Sequence, residues 1–274
     1  MERFVKVPGG RIYAASEGAG PPIVLVHAAI ADHRSWDSMV PGLVDAGHRV
    51  VRLDYRGYGE STTDDVEFSN RADIVAVLDS FRIGRAALVG NSRGGGIAMD
   101  TAIEFPDRVV AVVGVGASLS GYYEELTPAE MVLFGQAQSI MSAPEPDPDA
   151  ITNLAITLWV DGPGQSAERV DPAIREAVRV MCRPLNEPGR VRGQSIPLEP
   201  AADERIGDLR CPVLAVAGEL DVSSILGTAR HLAQKAPNAR AEIWPDVAHM
   251  IGMEVPDRLN ELIIDFLAPL RPWS

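Results

Sequence analysis

A serine framed by glycines directly follows a short apolar run and precedes a segment that can form a helix. The apolar run is Ala86 to Val89, and Gly90-Asn91-Ser92-Arg93-Gly94 follows it at once. Two glycines allow a turn tight enough to hold Ser92 in a strained conformation, with its hydroxyl exposed at the edge of a sheet. The next segment, up to Phe105, opens with small residues that let a helix pack closely on a sheet. The sequence therefore predicts a strand, a sharp turn and a helix, with Ser92 as a candidate nucleophile.

Short apolar runs alternate with segments of helical period along the chain. The runs are Ile23 to Val26, Val50 to Leu53, Ala86 to Val89, Val109 to Val115, Val213 to Ala217 and Ala241 to Ile243. This alternation is typical of βαβ units and of a mostly parallel sheet. Helices predicted over Asn70 to Phe81 and Val255 to Leu267 would cover the sheet. The fold class that follows is α/β, a doubly wound and mostly parallel sheet.

The alternation of predicted strands and helices ends after Ser118. Residues 119–205 contain helix-like segments near Pro128 to Met141 and Ala150 to Val160. Loops rich in Pro, Gly and Asp separate them, and no convincing strand is present. We therefore predict a core formed by residues 1–118 and 206–274, with a helical cap inserted at residues 119–205.

Composition excludes several classes of protein. A length of 274 residues with 46% hydrophobic content is enough for one large core plus an insertion. The net charge of −13 argues against nucleic acid as a partner.

The N-terminus lacks an apolar signal-peptide region and no later stretch is apolar enough to span a membrane, so we expect a cytoplasmic protein with no membrane partner. Cys182 and Cys211 stand far apart with no Cys/His cluster, which favours two buried thiols and no metal site.

A serine nucleophile at neutral pH needs a base within hydrogen-bonding reach. Among five histidines, His249 lies between the last predicted strand and the last helix, where its loop would reach the same sheet edge as Ser92. His27 ends a strand, and we expect it to shape the adjoining loop and to line the substrate pocket. The other three histidines, in helical or turn segments, are expected at the surface: His33, His48 and His231.

The base needs a carboxylate to orient it. Asp221 follows the strand Val213 to Ala217 and is the favoured acid. Glu219, two residues earlier, and Asp246 remain alternatives. A strand-end acid can also simply cap the following helix.

With Ser92, Asp221 and His249 in this order on an alternating α/β pattern, the chain resembles the small, cap-bearing, cofactor-free members of the α/β-hydrolase fold superfamily. The resemblance covers nearly the whole chain and rests on three further segments. They are Val26-His27-Ala28-Ala29, like the HG-type oxyanion loop; Asp54-Tyr55-Arg56-Gly57-Tyr58-Gly59-Glu60-Ser61, like the DxRGxGxS turn; and Ala248-His249 through Glu254-Val255-Pro256, like the GHxxxxExP segment.

The resemblance implies that the backbone amides of Arg93 and Ala29 hold a developing oxyanion. Ala28 departs from the family pattern, which usually has glycine there, and an alanine would resist a positive φ. Asn91 and Arg93 also replace the commoner neighbours of the serine. We expect the Arg93 side chain to pair with a carboxylate behind the turn.

A serine nucleophile points away from the family's dehalogenases and epoxide hydrolases, which attack with a carboxylate. It favours hydrolysis of a carboxylic ester or lactone with no metal or organic cofactor. The apolar residues of the cap, with Trp159 and Met250 as pocket residues, suit a small and largely apolar substrate. The alternatives are a carbon-carbon bond hydrolase, a metabolite-cyclising enzyme and a small-molecule receptor. The sequence indicates neither the physiological substrate nor the oligomeric state.

Overall fold

A nine-stranded sheet forms the centre of the computed structural model, which describes residues 1–273. The strands lie in the order β1-β2-β4-β3-β7-β8-β10-β11, and β5 pairs with β2. The strands are β1 Glu2–Val7, β2 Gly10–Glu17, β3 Pro22–Val26, β4 Arg49–Leu53, β5 Thr62–Thr63, β6 Glu67–Phe68, β7 Ala86–Asn91, β8 Val109–Val115, β9 Gln194–Ser195, β10 Val213–Gly218 and β11 Ala239–Trp244. The helices are α1 Val40–Asp45, α2 Asn70–Ser80, α3 Arg93–Glu104, α4 Pro128–Met141, α5 Pro148–Ile156, α6 Pro172–Cys182, α7 Ser223–Lys235, α8 Ile251–Glu254 and α9 Pro256–Leu267.

The pairing of the strands confirms the predicted fold class. From β4 across to β11 every neighbouring pair is parallel. The antiparallel strands β1 and β2 extend the sheet beyond β4 and were not among the predicted strands. Parallel strands end at a common edge, so the loops that follow β7, β10 and β11 lie close together.

Each face of the sheet is covered by its own layer of helices. In β7, Ala86 and Leu88 pack in one hydrophobic cluster, which includes residues of α2, α3 and α7, and Ala87 and Val89 pack in another with residues of α1 and α9. Successive side chains of a strand point to opposite faces, and a strand buried on both faces is a continuous apolar run. This double burial explains why the central strands were recognisable in the sequence.

The segment between β8 and β10 is mostly helical, and we call residues 119–205 the cap segment. It holds α4, α5, α6 and one π-helical turn, Thr157–Asp161, that continues directly from α5. It also contains the two-residue strand β9, which pairs with β6, so the expectation of no strand here was wrong. Two residues are too short to produce a recognisable period. That this segment is a separate domain stays a prediction.

One histidine expected at the surface is buried. His48 stands just before β4, has no exposed surface, and lies with its Nδ1 3.1 Å from the Pro21 carbonyl oxygen. The buried Trp273 ring covers it at a centroid distance of 6.0 Å. His33 and His231 are half-buried and pair with Asp54 and Asp203. Across residues 1–273, no helix combines the length and the apolar character needed to cross a membrane.

Candidate active site

Ser92 stands at the sharp turn between β7 and α3. Its backbone has φ 55° and ψ −121°, a combination that a residue with a side chain adopts only under strain. Gly94 makes the turn possible, because a Cβ atom there would collide with the carbonyl oxygens of Val26 and His27 on β3 and the loop after it. The predicted strand, turn and helix are therefore all present, with the serine at the turn.

The hydrogen bonds around Ser92 leave free amides beside it. Its N–H donates to Val115 on β8 at 2.9 Å, and its carbonyl accepts from Gly95 and Gly96 in the first turn of α3. The first amides of a helix have no partner within the helix. Arg93, the first residue of α3, thus carries its N–H at a helix N-terminus, where negative charge is stabilised.

His249 and Asp221 are in direct contact. The Nδ1 atom of His249 lies 2.7 Å from Oδ2 of Asp221, and both side chains are buried. Asp221 Oδ1 also accepts the N–H of Val222 at 2.8 Å. The carboxylate is thus fixed at both oxygens, and it holds the imidazole so that Nδ1 carries the proton and Nε2 is free to accept one.

The other two candidate acids lie away from the imidazole. Glu219 and Asp246 are both exposed, although Glu219 is only two residues from Asp221. After β10 the chain turns, with the N–H of Asp221 bonded to the Gly218 carbonyl and that of Leu220 to the Val247 carbonyl. This turn directs Asp221 inward toward the loop that carries His249.

Asn91 at the end of β7 and Gly116 after β8 both let the chain pack closely against the loop that carries His249. The side-chain amide of Asn91 donates to the carbonyl of Val115 at 2.8 Å and to the carbonyl of His249 at 3.2 Å. Gly116, with φ +51°, follows β8, and a Cβ atom there would lie 3.2 Å from His249 Nδ1 and 3.3 Å from Asp221 Oδ2. In the sequence, Asn91 stands out only as a departure from the family pattern, and its role depends on these tertiary contacts.

Ala29 lies in the turn that follows β3. Ala28 is fully buried, and within the described residues a positive φ outside glycine occurs only at Arg82, Ser92 and Asp246. The alanine therefore adopts the conformation required here without the strain that a positive φ would impose. The N–H of Ala31 closes the turn onto the Ala28 carbonyl at 3.1 Å.

His27 lies beneath this loop rather than on the surface of an open pocket. Its ring has no exposed surface, stacks on Tyr55 at a centroid distance of 4.1 Å, and has Nδ1 2.8 Å from the Ala28 carbonyl oxygen. Burial lowers the pKa of this imidazole. The expectation that His27 shapes the loop agrees with this placement, whereas the expected position in the substrate pocket does not.

An acidic network supports the same loop. Asp54, fully buried, accepts the backbone N–H of His33 at 2.7 Å and that of Glu60 at 2.9 Å, and its Oδ2 lies 2.8 Å from the His33 ring. Asp32 pairs with Arg34 through both carboxylate oxygens. Asp54 belongs to the turn that resembles DxRGxGxS, and its contacts join that turn to the loop after β3.

The expected ion pair of Arg93 was wrong. The guanidinium lies over the ring of Tyr55 at 5.5 Å from its centroid and within 3.4 Å of the Ser195 hydroxyl, on β9 of the cap segment. The side chain therefore bridges the turn to the returning strand of the cap segment. Only tertiary contacts bring Tyr55 and Ser195 to this place.

The cap segment covers the imidazole with an aromatic ring. Trp159 lies in the π-helical turn, and its ring centroid is 4.5 Å from that of His249. A π turn within a helix is rare and often marks a functional site. Met250 is buried with Ala28 of the loop after β3 and with Ile156 of the cap segment. Of the three residues expected in the pocket, Trp159 is thus the one in ring contact with His249.

Arg169 ties this π turn to the histidine loop, and sequence reasoning missed it. Its guanidinium donates to the carbonyls of Val160 and Asp161 in the π turn, to the carbonyl of Asp246, and to the Glu254 carboxylate. Glu254 in turn accepts the N–H of Ala248 at 3.1 Å. A single arginine in an irregular segment has no periodic signal, although Glu254 was visible in the GHxxxxExP-like segment.

The chain is similar to several known proteins over nearly its whole length. A model of the alpha/beta hydrolase fold matches residues 21–256. Epoxide hydrolase B of Mycobacterium tuberculosis is 27% identical, over 99% of this chain and 99% of its own length. A solved structure described as an N-acyl homoserine lactone degrading enzyme is 26% identical with a TM-score of 0.74, over 96% of this chain and 100% of its own. The enol-lactonase from Burkholderia xenovorans, at 20% identity and a TM-score of 0.76 over 97% and 100% of the two chains, shares the fold. Because the family model spans most of its length, the chain belongs to the alpha/beta hydrolase fold family and is a hydrolase.

Proposed function

We propose that this protein is a serine hydrolase that cleaves a carboxylic ester or lactone through an acyl-enzyme on Ser92. Ser92 Oγ attacks the carbonyl carbon while His249 Nε2 takes its proton, and Asp221 stabilises the resulting imidazolium. The amides of Ala29 and Arg93 donate to the oxyanion. His249 then gives its proton to the departing alkoxide, and activates the water that releases the acid.

One observation carries the proposal: the 2.7 Å contact between His249 and Asp221, next to a serine held at φ 55°. A strained conformation persists only where surrounding contacts impose it, and such residues cluster at active sites. The serine lies at the end of β7, and the pair follows β10 and β11 at the same edge of the sheet.

The relative named as an epoxide hydrolase makes epoxide opening the competing reaction. The family's epoxide hydrolases attack with a carboxylate, whereas the residue at the turn here is a serine. The similarity to a lactone-degrading enzyme supports a carbonyl substrate. We expect p-nitrophenyl esters or simple lactones to be turned over and styrene oxide to be left intact. Turnover of the epoxide with no hydrolysis of esters or lactones would reverse this assignment.

Covalent labelling tests the nucleophile directly. An activated phosphonate ester resembles the tetrahedral intermediate and needs both an activated hydroxyl and the oxyanion amides. We expect one adduct per chain, mapped by mass spectrometry to the Ser92 peptide, and none in Ser92→Ala. Labelling should slow strongly in His249→Ala. An adduct on another serine would refute the assignment, and a folded protein that neither labels nor turns over would instead be a receptor.

A further inference from the structure

An apolar cavity lies inside the cap segment, between α4 and α5. Its walls include Phe134 and Ile140 of α4, Ile151 and Leu154 of α5, and Leu158 and Trp159 of the π turn. Every residue around it has an apolar or aromatic side chain and none is charged. Met141 also lines the cavity and is exposed, so the cavity is open to solvent on one side, and its apolar walls favour an apolar occupant.

The cavity shares a wall with the candidate active site. Trp159 lines it and also lies with its ring centroid 4.5 Å from that of His249. Phe134 packs edge-on against the same indole at 6.3 Å. The indole therefore lies between the imidazole and the cavity, and a chain that extends from a carbonyl at Ser92 into the cavity would have to pass this ring.

The size of the cavity limits the length of its occupant. Its volume is about 230 Å³. An apolar protein cavity of about 150 Å³ binds benzene, which has six carbons, so this cavity has room for about seven to nine carbons. An unbranched alkyl chain fits this volume better than a charged group, because nothing in the walls would replace the hydration of a charge.

We propose that this cavity binds the alkyl chain of the substrate, so that the enzyme acts on esters or lactones bearing an unbranched apolar chain of about seven to nine carbons. The inference rests on the proposed ester or lactone hydrolysis and adds the substrate class. The chain can be the acyl group of an ester or an N-acyl substituent on a lactone ring, and both share the same alkyl chemistry.

The first test is a chain-length profile of p-nitrophenyl esters from acetate to laurate. Each buried methylene strengthens binding up to about fourfold. We expect kcat/KM to rise by more than about tenfold from acetate to octanoate and to fall for laurate, which exceeds the cavity. A profile that is flat or falls from acetate onward overturns the inference while leaving the proposed hydrolysis intact. Failure to hydrolyse any ester or lactone, acetate included, would instead overturn the proposed function.

Filling the cavity tests its location. Ala137 lines the cavity from α4, and Ala129 lies exposed on the same helix, so Ala137→Phe and Ala129→Phe form a matched pair. We expect Ala137→Phe to lower kcat/KM for octanoate by about tenfold or more and to leave acetate within about twofold, with Ala129→Phe unchanged on both. Leu154→Trp on α5 fills the same space and serves if Ala137→Phe does not fold. Equal loss on both esters, or an undiminished preference for octanoate in the filled variants, would overturn the inference.

A second series identifies the side on which the chain is attached. N-butanoyl and N-octanoyl homoserine lactone are compared in the wild type and in Ala137→Phe. Loss of the octanoyl lactone together with the octanoate ester shows that the cavity takes both kinds of chain, and loss of the octanoate ester alone restricts it to the acyl group of an ester. Loss of neither overturns the proposal.

Discussion

Replacing Ser92 by glycine should stabilise the protein relative to replacing it by alanine, even though both variants lose the hydroxyl. At φ 55° and ψ −121°, Ser92 lies in a region that costs a residue with a Cβ atom about 1–3 kcal/mol. Alanine retains this cost and glycine does not. Glycine loses about 0.5–1 kcal/mol through the greater freedom of its unfolded chain. The net difference in the free energy of unfolding is therefore about 1 kcal/mol in favour of glycine.

The comparison is measured by thermal unfolding of the two variants at one pH. In a protein of this size, 1 kcal/mol corresponds to a shift in Tm of about 2–4 °C. Because neither variant has the hydroxyl, changes in its hydrogen bonding cancel, and both should lack esterase turnover. If Ser92→Gly unfolds at or below the Tm of Ser92→Ala, the serine is not strained and this reasoning is refuted.

Three further predictions concern the acid, the link between cap segment and core, and the half-buried carboxyl group of Asp100. Asp221→Asn should lower kcat on a p-nitrophenyl ester by about 10³-fold or more, because the imidazole loses the acceptor for its Nδ1 proton. The kcat of Glu219→Gln should stay within about twofold of the wild type. Similar losses in both variants would contradict the assignment of Asp221. Arg169→Met should lower the free energy of unfolding by about 2–4 kcal/mol, because it removes the partly buried ion pair with Glu254. A double-mutant cycle with Glu254→Gln, measured by urea unfolding, should give a clear coupling energy between the two residues. Additive effects of the two mutations would contradict this prediction. Burial raises the pKa of Asp100 from 3.8 to about 6, so the folded protein holds this proton more tightly than the unfolded chain, and stability is lost as pH rises from about 4 through 6. Asp100→Asn keeps the acceptor for the Ser120 hydroxyl and removes the ionisation, so its Tm should exceed that of the wild type increasingly from pH 4 to pH 8; a difference independent of pH would contradict this assignment.

Local patterns in the sequence were enough to predict the central fold and the positions of the candidate residues. The runs from Ala86 to Val89 and from Val213 to Ala217 stand out because strands buried on both faces need apolar residues throughout. The glycine pattern around Ser92 reports a backbone conformation, and backbone conformation is a local property. Since parallel strands end at one edge of the sheet, placing Ser92, Asp221 and His249 after strands also predicted that they would lie near each other.

Tertiary structure decided which groups touch. A sequence pattern does not distinguish Glu219 from Asp221. Only the turn after β10, through its hydrogen bonds to the carbonyls of Gly218 and Val247, directs Asp221 to His249. The partner of Arg93 is a tyrosine ring with a serine hydroxyl because the turn after β4 and strand β9 are brought to it from distant parts of the chain. His48 is buried by Trp273, which lies more than two hundred residues away in the sequence. The cavity between α4 and α5 also depends on how two helices pack. Side-chain periodicity records which face of an element is buried, and it does not record which distant residues cover that face.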